Sequence, residues 1–281
     1  MDAPPPRRVL VATDLSPRAG RAVQRAAQLA ARHGSRLTAL HAVPQGIEAD
    51  LVGFARSELR AHVERHAPHV TVETVVRSGR PASVITVEAR ECAADLLVVG
   101  AHGAHWLADM LTGRTAEALV RRSHVPVLVV QHPPDRDYRT VLLPVEPSDI
   151  SFTAAQEGIA LTPGAEHLVV HVSTVPGEHL MQMRGVDDAS LAELRRVSTE
   201  RVRPGIEEAA AGLTPPPARV LVVPGRPESR IVELASEYEA DLTVVGTGTH
   251  SRFGYALVGS VAQYVLRRAP SDVLVVRGTG E

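Results

Sequence analysis

Residues 98–114 read VVGAHGAHWLADMLTGR, and residues 244–260 read VVGTGTHSRFGYALVGS. The two stretches are equal in length, and their glycines coincide at an offset of 146 residues, Gly100 with Gly246 and Gly113 with Gly259. Each follows an apolar β-branched run and leads into a helix-like segment. Each is then followed by another apolar run, VPVLVV at 125–130 or DVLVV at 272–276. Most residues between the glycines differ. Shared glycines among unlike side chains point to a duplicated unit whose loop has a backbone requirement.

The duplication extends outward from the loops. Arg80-Pro81 matches Arg226-Pro227, Ala94-Asp95 matches Ala240-Asp241, and VLVV at 127–130 matches 273–276, all at the same offset of 146. Nearer the start of each copy the offset falls to 132 (VLVATD at 9–14, VLLPVE at 141–146) and then to 130 (His41, His171). The second copy is therefore two residues shorter in its first helix and gains 16 residues within 174–218, between its second and third strands. Two domains are expected, 1–134 and 138–281, joined by HPPDRDY at 132–138.

Within the first copy, β-branched runs alternate with helical patterns. VLVAT is followed by Ser16 and Pro17, an N-cap and first-turn signal, and by a helix reaching about His33 before Gly34. LTALHAV, VTVETVV, LLVVG and VPVLVV read as further strands, with helices over about 47–66, 81–93 and 114–123. Continuously apolar strands separated by helices predict a parallel sheet covered on both faces. The fold class is α/β: two tandem doubly wound, Rossmann-like domains of about five strands each. The last strand of each would lie at a sheet edge, yet both are apolar. An exposed apolar edge invites pairing, so the two are expected to run antiparallel against each other, or against a second chain in a homodimer.

Composition bounds the function. At 281 residues with 44% hydrophobic and 22% charged, the chain can bury ordinary domain cores. A net charge of −2 gives no footprint for nucleic acid or a membrane surface. No apolar run is long enough to span a bilayer. The opening MDAPPPRRVLVATD lacks a signal peptide's apolar stretch, and the single Cys92 makes no internal disulfide, so a cytoplasmic protein is expected. All 30 Lys+Arg residues are arginine. That removes P-loop lysines and Schiff bases. Any phosphate must be held by backbone N–H groups, arginine or a metal ion.

Loops after parallel strands gather at the carboxyl end of the sheet, where ligands of such folds bind. The helix after Gly113 or Gly259 offers N–H groups and the positive end of its dipole, which suits an anion. The alternative is that these glycines only punctuate strand-to-helix turns. Gly100-x2-Gly103-x9-Gly113 has the spacing of the nucleotide motif of universal stress proteins, where Ser or Thr follows the last glycine. Strand-end Asp14 with Ser16, the His41-Ala42-Val43 segment, the GRP turns and GSVAQYVLRRAPSDVLVV at 259–276 extend the resemblance over nearly the whole chain.

The resemblance implies an adenine nucleotide ligand, ATP or ADP/AMP, with a regulatory or stress-survival role. It implies Asp14, Ala42, Gly100, Gly103 and Gly113, followed by Arg114 and Thr115, as binding positions in the first copy. In the second it implies Glu146, Val172, Gly246, Gly259, Ser260 and Val261. Magnesium (Mg) or another divalent cation is expected to assist a triphosphate, for want of lysine. Each copy departs from the pattern: Arg114 replaces Ser or Thr in the first, and Glu146 and Thr249 replace Asp and Gly in the second. Having all three glycines, the first copy is expected to bind better. The alternative is a degenerate pair acting as a dimeric scaffold for partner proteins.

Other candidates carry less. His62, His66 and His69 have a metal-like spacing, but Pro68 should end the helix, and a solvated surface is expected. His102 and His105 lack a nominated acid or nucleophile, so no catalytic residues are assigned and at most a slow ATPase is expected. Arg121-Arg122 and Arg267-Arg268 suit helix C-termini. Cys92 and Trp106 read as packing residues, and LMQM at 180–183 as an apolar cover or partner contact.

Overall fold

The structure is a computed structural model that describes residues 3–101, 114–247 and 259–277. Gly103, Gly113, Thr249, His102, His105 and Trp106 lie outside the described residues, as do the side chains of Arg114 and Thr115. The first half comprises β1 (Arg8–Ala12), α1 (Ala19–His33), β2 (Arg36–Val43), α2 (Ala49–His66), β3 (Val72–Ser78), α3 (Pro81–Glu91), β4 (Leu96–Gly100), α4 (Arg114–Arg122) and β5 (Val127–Val130). The second comprises β6 (Thr140–Pro144), α5 (Asp149–Leu161), β7 (Glu166–Ser173), α6 (Glu178–Met183), α7 (Asp188–Ala211), β8 (Arg219–Pro224), α8 (Pro227–Glu237), β9 (Leu242–Thr247), α9 (Ser260–Arg268) and β10 (Asp272–Arg277).

These strands form one ten-stranded sheet, β3-β2-β1-β4-β5-β10-β9-β6-β7-β8. Every neighbouring pair is parallel except β5 and β10, which run antiparallel with Val129 opposite Val273 and Leu128 opposite Leu274. Alternation along each strand divides the core between the two faces. Val9, Val11, Val98 and Leu128 pack beneath α1, α2, α5 and α7, while Leu10, Leu97, Val99 and Val129 pack beneath α3, α4, α8 and α9. Each face is continuous across both halves. The continuously apolar strand sequences follow directly from this double burial.

The extra residues of the second copy build α6 and lengthen the helix after β7, so that α7 has 24 residues against 18 in α2. Asp187 caps α7 by accepting the Ser190 N–H at 2.9 Å. Positive φ falls at the glycines of the two GRP turns, 145° at Gly79 and 146° at Gly225. A side chain is strained there, and these turns carry the chain from β3 and β8 into helices opened by Pro81 and Pro227.

Candidate functional site

In each half the strand order reverses beside the first strand, between β1 and β4 and between β6 and β9. A crevice opens there at the carboxyl ends of the strands. In the first half the turn after β1 is tightly held. The Asp14 carboxylate accepts the Ser16 N–H at 3.0 Å, and the Thr13 hydroxyl oxygen accepts the Leu15 N–H at 3.1 Å. His41 Nδ1–H donates to the Thr13 carbonyl at 2.9 Å. Leu15 adopts φ 65°, a left-handed conformation that costs an L-residue roughly 1–2 kcal/mol and that these bonds offset. The helix start lies later than the expected Ser16 cap and Pro17: α1 begins at Ala19 with Arg18 as its N-cap, and the Ser16 hydroxyl accepts the Ala19 N–H at 3.1 Å from the preceding turn.

The second half repeats the histidine tether: His171 Nδ1–H donates to the Val145 carbonyl at 2.8 Å. Ser151 secures the following residue, donating to the Glu146 carbonyl at 2.7 Å and accepting the Glu146 N–H at 3.1 Å. Beside this turn lies a cavity of about 560 Å³, within the size range of small-molecule sites. Glu146, Val172, Gly246, Gly259, Ser260 and Val261 all line it, so the six second-copy residues named from sequence share one cleft. Among the described residues, the Asp14 and Ala42 side of the first half borders a hollow of about 20 Å³ with Pro81 and Ile85, while Gly100 ends β4 opposite Val130.

One expectation about the glycines needs correcting. Gly100 and Gly246 are absent from the positive-φ residues, and Gly259 has φ −57°. A Cβ on Gly100 or Gly246 would make only ordinary contacts, at 3.7 Å from Ala19 and 3.5 Å from Ala154. These glycines therefore do not answer a φ requirement. Gly259 is an N-cap without a side chain, its space open and the start of α9 facing the cavity. That arrangement suits an anionic or hydrogen-bond-accepting group.

The longer α7 belongs to the second cleft. Ser198 and Val202 line it, Ser198 Oγ donates to the Thr174 carbonyl at 3.2 Å, and the Thr199 and Ser173 hydroxyls meet at 2.7 Å. Sequence reasoning did not place these residues at the site. The 16-residue offset change between His41/His171 and the GRP turns was the available signal. No arginine stands among the described residues lining the cleft.

The α2 histidines also depart from the expected solvated surface. His62 is 3% exposed because it faces inward with Leu59 and Val63. Its Nε2 lies 3.2 Å from Thr13 Oγ1, extending the support of the Asp14 turn. Burial and neighbouring His66 lower its pKa to about 4. The His66 ring covers Gly20, where a Cβ would come within 2.4 Å of it, and only His69 is exposed. Among the described residues no group of three or more His, Cys, Asp or Glu is arranged for a metal. Cys92 is only half-buried, and burial raises its thiol pKa.

A sequence model of the Universal stress protein family matches residues 6–131 and 137–277. The chain belongs to that family, as two tandem domains. Universal stress protein Rv2623 of Mycobacterium tuberculosis is 29% identical over 301 residues, covering 96% of each chain. Universal stress protein Rv2005c of the same organism is 31% identical over 192 residues, and the match spans 66% of this chain and 62% of that relative's length. The crystal structure of a universal stress protein from Archaeoglobus fulgidus shares the fold, with a TM-score of 0.67 at 20% identity, covering 96% of this chain and 98% of that one. Family membership supports a stress-related role. No helix among the described residues is long and apolar enough to cross a membrane.

Proposed function

We propose that this protein is a cytoplasmic regulator or stress-survival factor that binds an adenine nucleotide, and that its second-domain cleft is a binding site. One observation carries the reading: Glu146, Val172, Gly246, Gly259, Ser260 and Val261 line one cavity of about 560 Å³. Val172 and the apolar floor of Val145, Val170 and Ile231 suit a base. Glu146 can accept ribose hydroxyls, and the start of α9 suits the ligand's far end. Asp14, Ala42, Gly100, Gly103, Gly113, Arg114 and Thr115 form the corresponding proposal for the first domain. A bound triphosphate would bring its own divalent cation, since no described metal cluster or cleft arginine offsets its charge. The domains are proposed to work as an intramolecular pair through β5 and β10.

Mass spectrometry of small molecules released from natively purified protein tests the reading directly. An adenine nucleotide or nucleoside at near-stoichiometric yield is the expected result. Absence of any such ligand, together with no heat of binding on titration with adenosine, AMP or ATP, would favour the scaffold reading. That second reading draws on Leu180, Met183, Leu194 and Val197, which leave an apolar surface exposed on α6 and α7.

A further inference from the structure

The two copies differ in sequence charge at the first turn of the helix after the GRP turn and at the start of the helix after the glycine loop. In the second half, Ser260 opens α9 and its hydroxyl donates to the Glu228 carboxylate at 3.3 Å. Glu228 lies in the first turn of α8, which also brings Pro227 and Ile231 to the cleft. At the offset of 146, Glu228 corresponds to Ala82 and Ser260 to Arg114. The first copy therefore has a small neutral residue and an arginine at these two sequence positions, while the second has a carboxylate and a hydroxyl that are hydrogen-bonded to each other.

Building on the adenine reading above, we propose that the second-domain cleft selects an uncharged adenine nucleoside over a nucleoside triphosphate, and that Glu228 is the specificity-determining residue. The start of α9 attracts negative charge, but the Glu228 carboxylate, 3.3 Å from the cleft-lining Ser260 hydroxyl, opposes a second anion there. A second anion within about 5 Å of that carboxylate meets a repulsion worth about tenfold or more in affinity. An uncharged 5′-hydroxyl meets none, and it can share the Ser260 and Glu228 hydrogen bonds as both donor and acceptor. Glu146 adds a second carboxylate to the cleft, and no described lining residue is cationic.

Hydrogen exchange on the full chain reads the second cleft separately from the first, through segments 168–174 and 259–265. Adenosine and ATP are titrated with EDTA and with magnesium, against the unaltered protein and against Glu228→Gln, Glu228→Ala and Ser260→Arg. The expected result is half-protection of these segments at an adenosine concentration about tenfold or more below that of ATP. Glu228→Gln and Glu228→Ala should both shift the ATP-to-adenosine preference toward ATP by about tenfold, and Ser260→Arg should shift it the same way. A shift confined to Glu228→Ala would mark a structural role and overturn the proposal. So would ATP protecting more tightly than adenosine, in either medium. If neither ligand protects these segments, the adenine reading of this cleft fails and takes the proposal with it. Protection by ATP in preference leaves the adenine reading standing and removes the charge selection alone.

Discussion

The Tyr138 hydroxyl donates to the Asp272 carboxylate at 2.7 Å, with both side chains almost wholly buried. Asp272 also accepts the Gln131 and His132 N–H groups at 2.8 and 3.2 Å. Arg25 of α1 lies 3.6 Å from the same carboxylate and places its guanidinium 4.0 Å from the Tyr138 ring centroid. One helix of the first domain, the linker and the last strand of the second thus meet at one carboxylate. Burial and Asp272 hold the Tyr138 pKa well above the ordinary phenol value, so the donor stays protonated.

Removing that carboxylate leaves a buried arginine and several donors without their partner. Asp272→Ala should cost about 3–5 kcal/mol in urea denaturation, the scale of breaking a buried pair. Tyr138→Phe should cost about 1.5–3 kcal/mol, for one hydrogen bond to a charged acceptor. A loss within about 0.5 kcal/mol for Asp272→Ala, the range of ordinary surface changes, would mean the cluster does not lock the halves together.

The antiparallel β5 and β10 ladder should make the two domains one cooperative unit. Amides at 127–130 and 273–275 are expected to exchange at a common, slowest rate, near that of global unfolding. Fast exchange in one strand while the other stays protected would show that the halves open independently.

His62 predicts an acid-sensitive first domain. Its folded pKa of about 4 lies below the ordinary 6.5, so the unfolded chain binds the proton more readily. The neutral imidazole's contribution is complete above pH 6.5 and is lost as pH falls toward 4, by up to about 3 kcal/mol. His66, also lowered by burial and by Arg65, acts in the same direction. Thermal unfolding between pH 7 and 4.5 should fall less steeply for His62→Gln than for the native protein. Parallel profiles would exclude His62 as the origin.

Filling each cleft in turn separates the two candidate sites. Val172→Trp should abolish most adenosine binding to the second cleft, while Ala42→Trp should leave that component unchanged. Calorimetric titration, with melting temperatures to confirm folding, provides the check. Loss of all binding in Ala42→Trp alone would assign the ligand to the first domain, which carries more of the expected glycines.

The repeat, the alternating elements and the parallel sheets were legible because each strand needs apolar residues on both faces and each helix carries its punctuation. The Pro81 and Pro227 helix starts were local signals of that kind. The six second-copy residues were named from the family resemblance, position by position, and they line one cavity. His62 was misread because its burial depends on α2 facing α1 and β1, a relation between distant segments that helix spacing does not contain. The tethers from His41 and His171 to the preceding strand's end are likewise long-range. Asp272 corresponds to Pro126 in the other copy, so the repeat gave no hint of the carboxylate's role. Gly100 and Gly246 invited an argument from φ, whereas the positive φ values belong to Gly79 and Gly225.

Because β5 and β10 run in opposite directions, the carboxyl ends of the two half-sheets point to opposite poles of the molecule. The two crevices therefore open back to back. One small ligand cannot bridge them, and a protein seated over one pole leaves the other uncovered. Among the described residues the two crevices share no lining residue. A duplicated gene with this geometry is free to give its two pockets different tastes within one continuous sheet. The exchange of Ala82 and Arg114 for Glu228 and Ser260 is the kind of divergence that such separation permits.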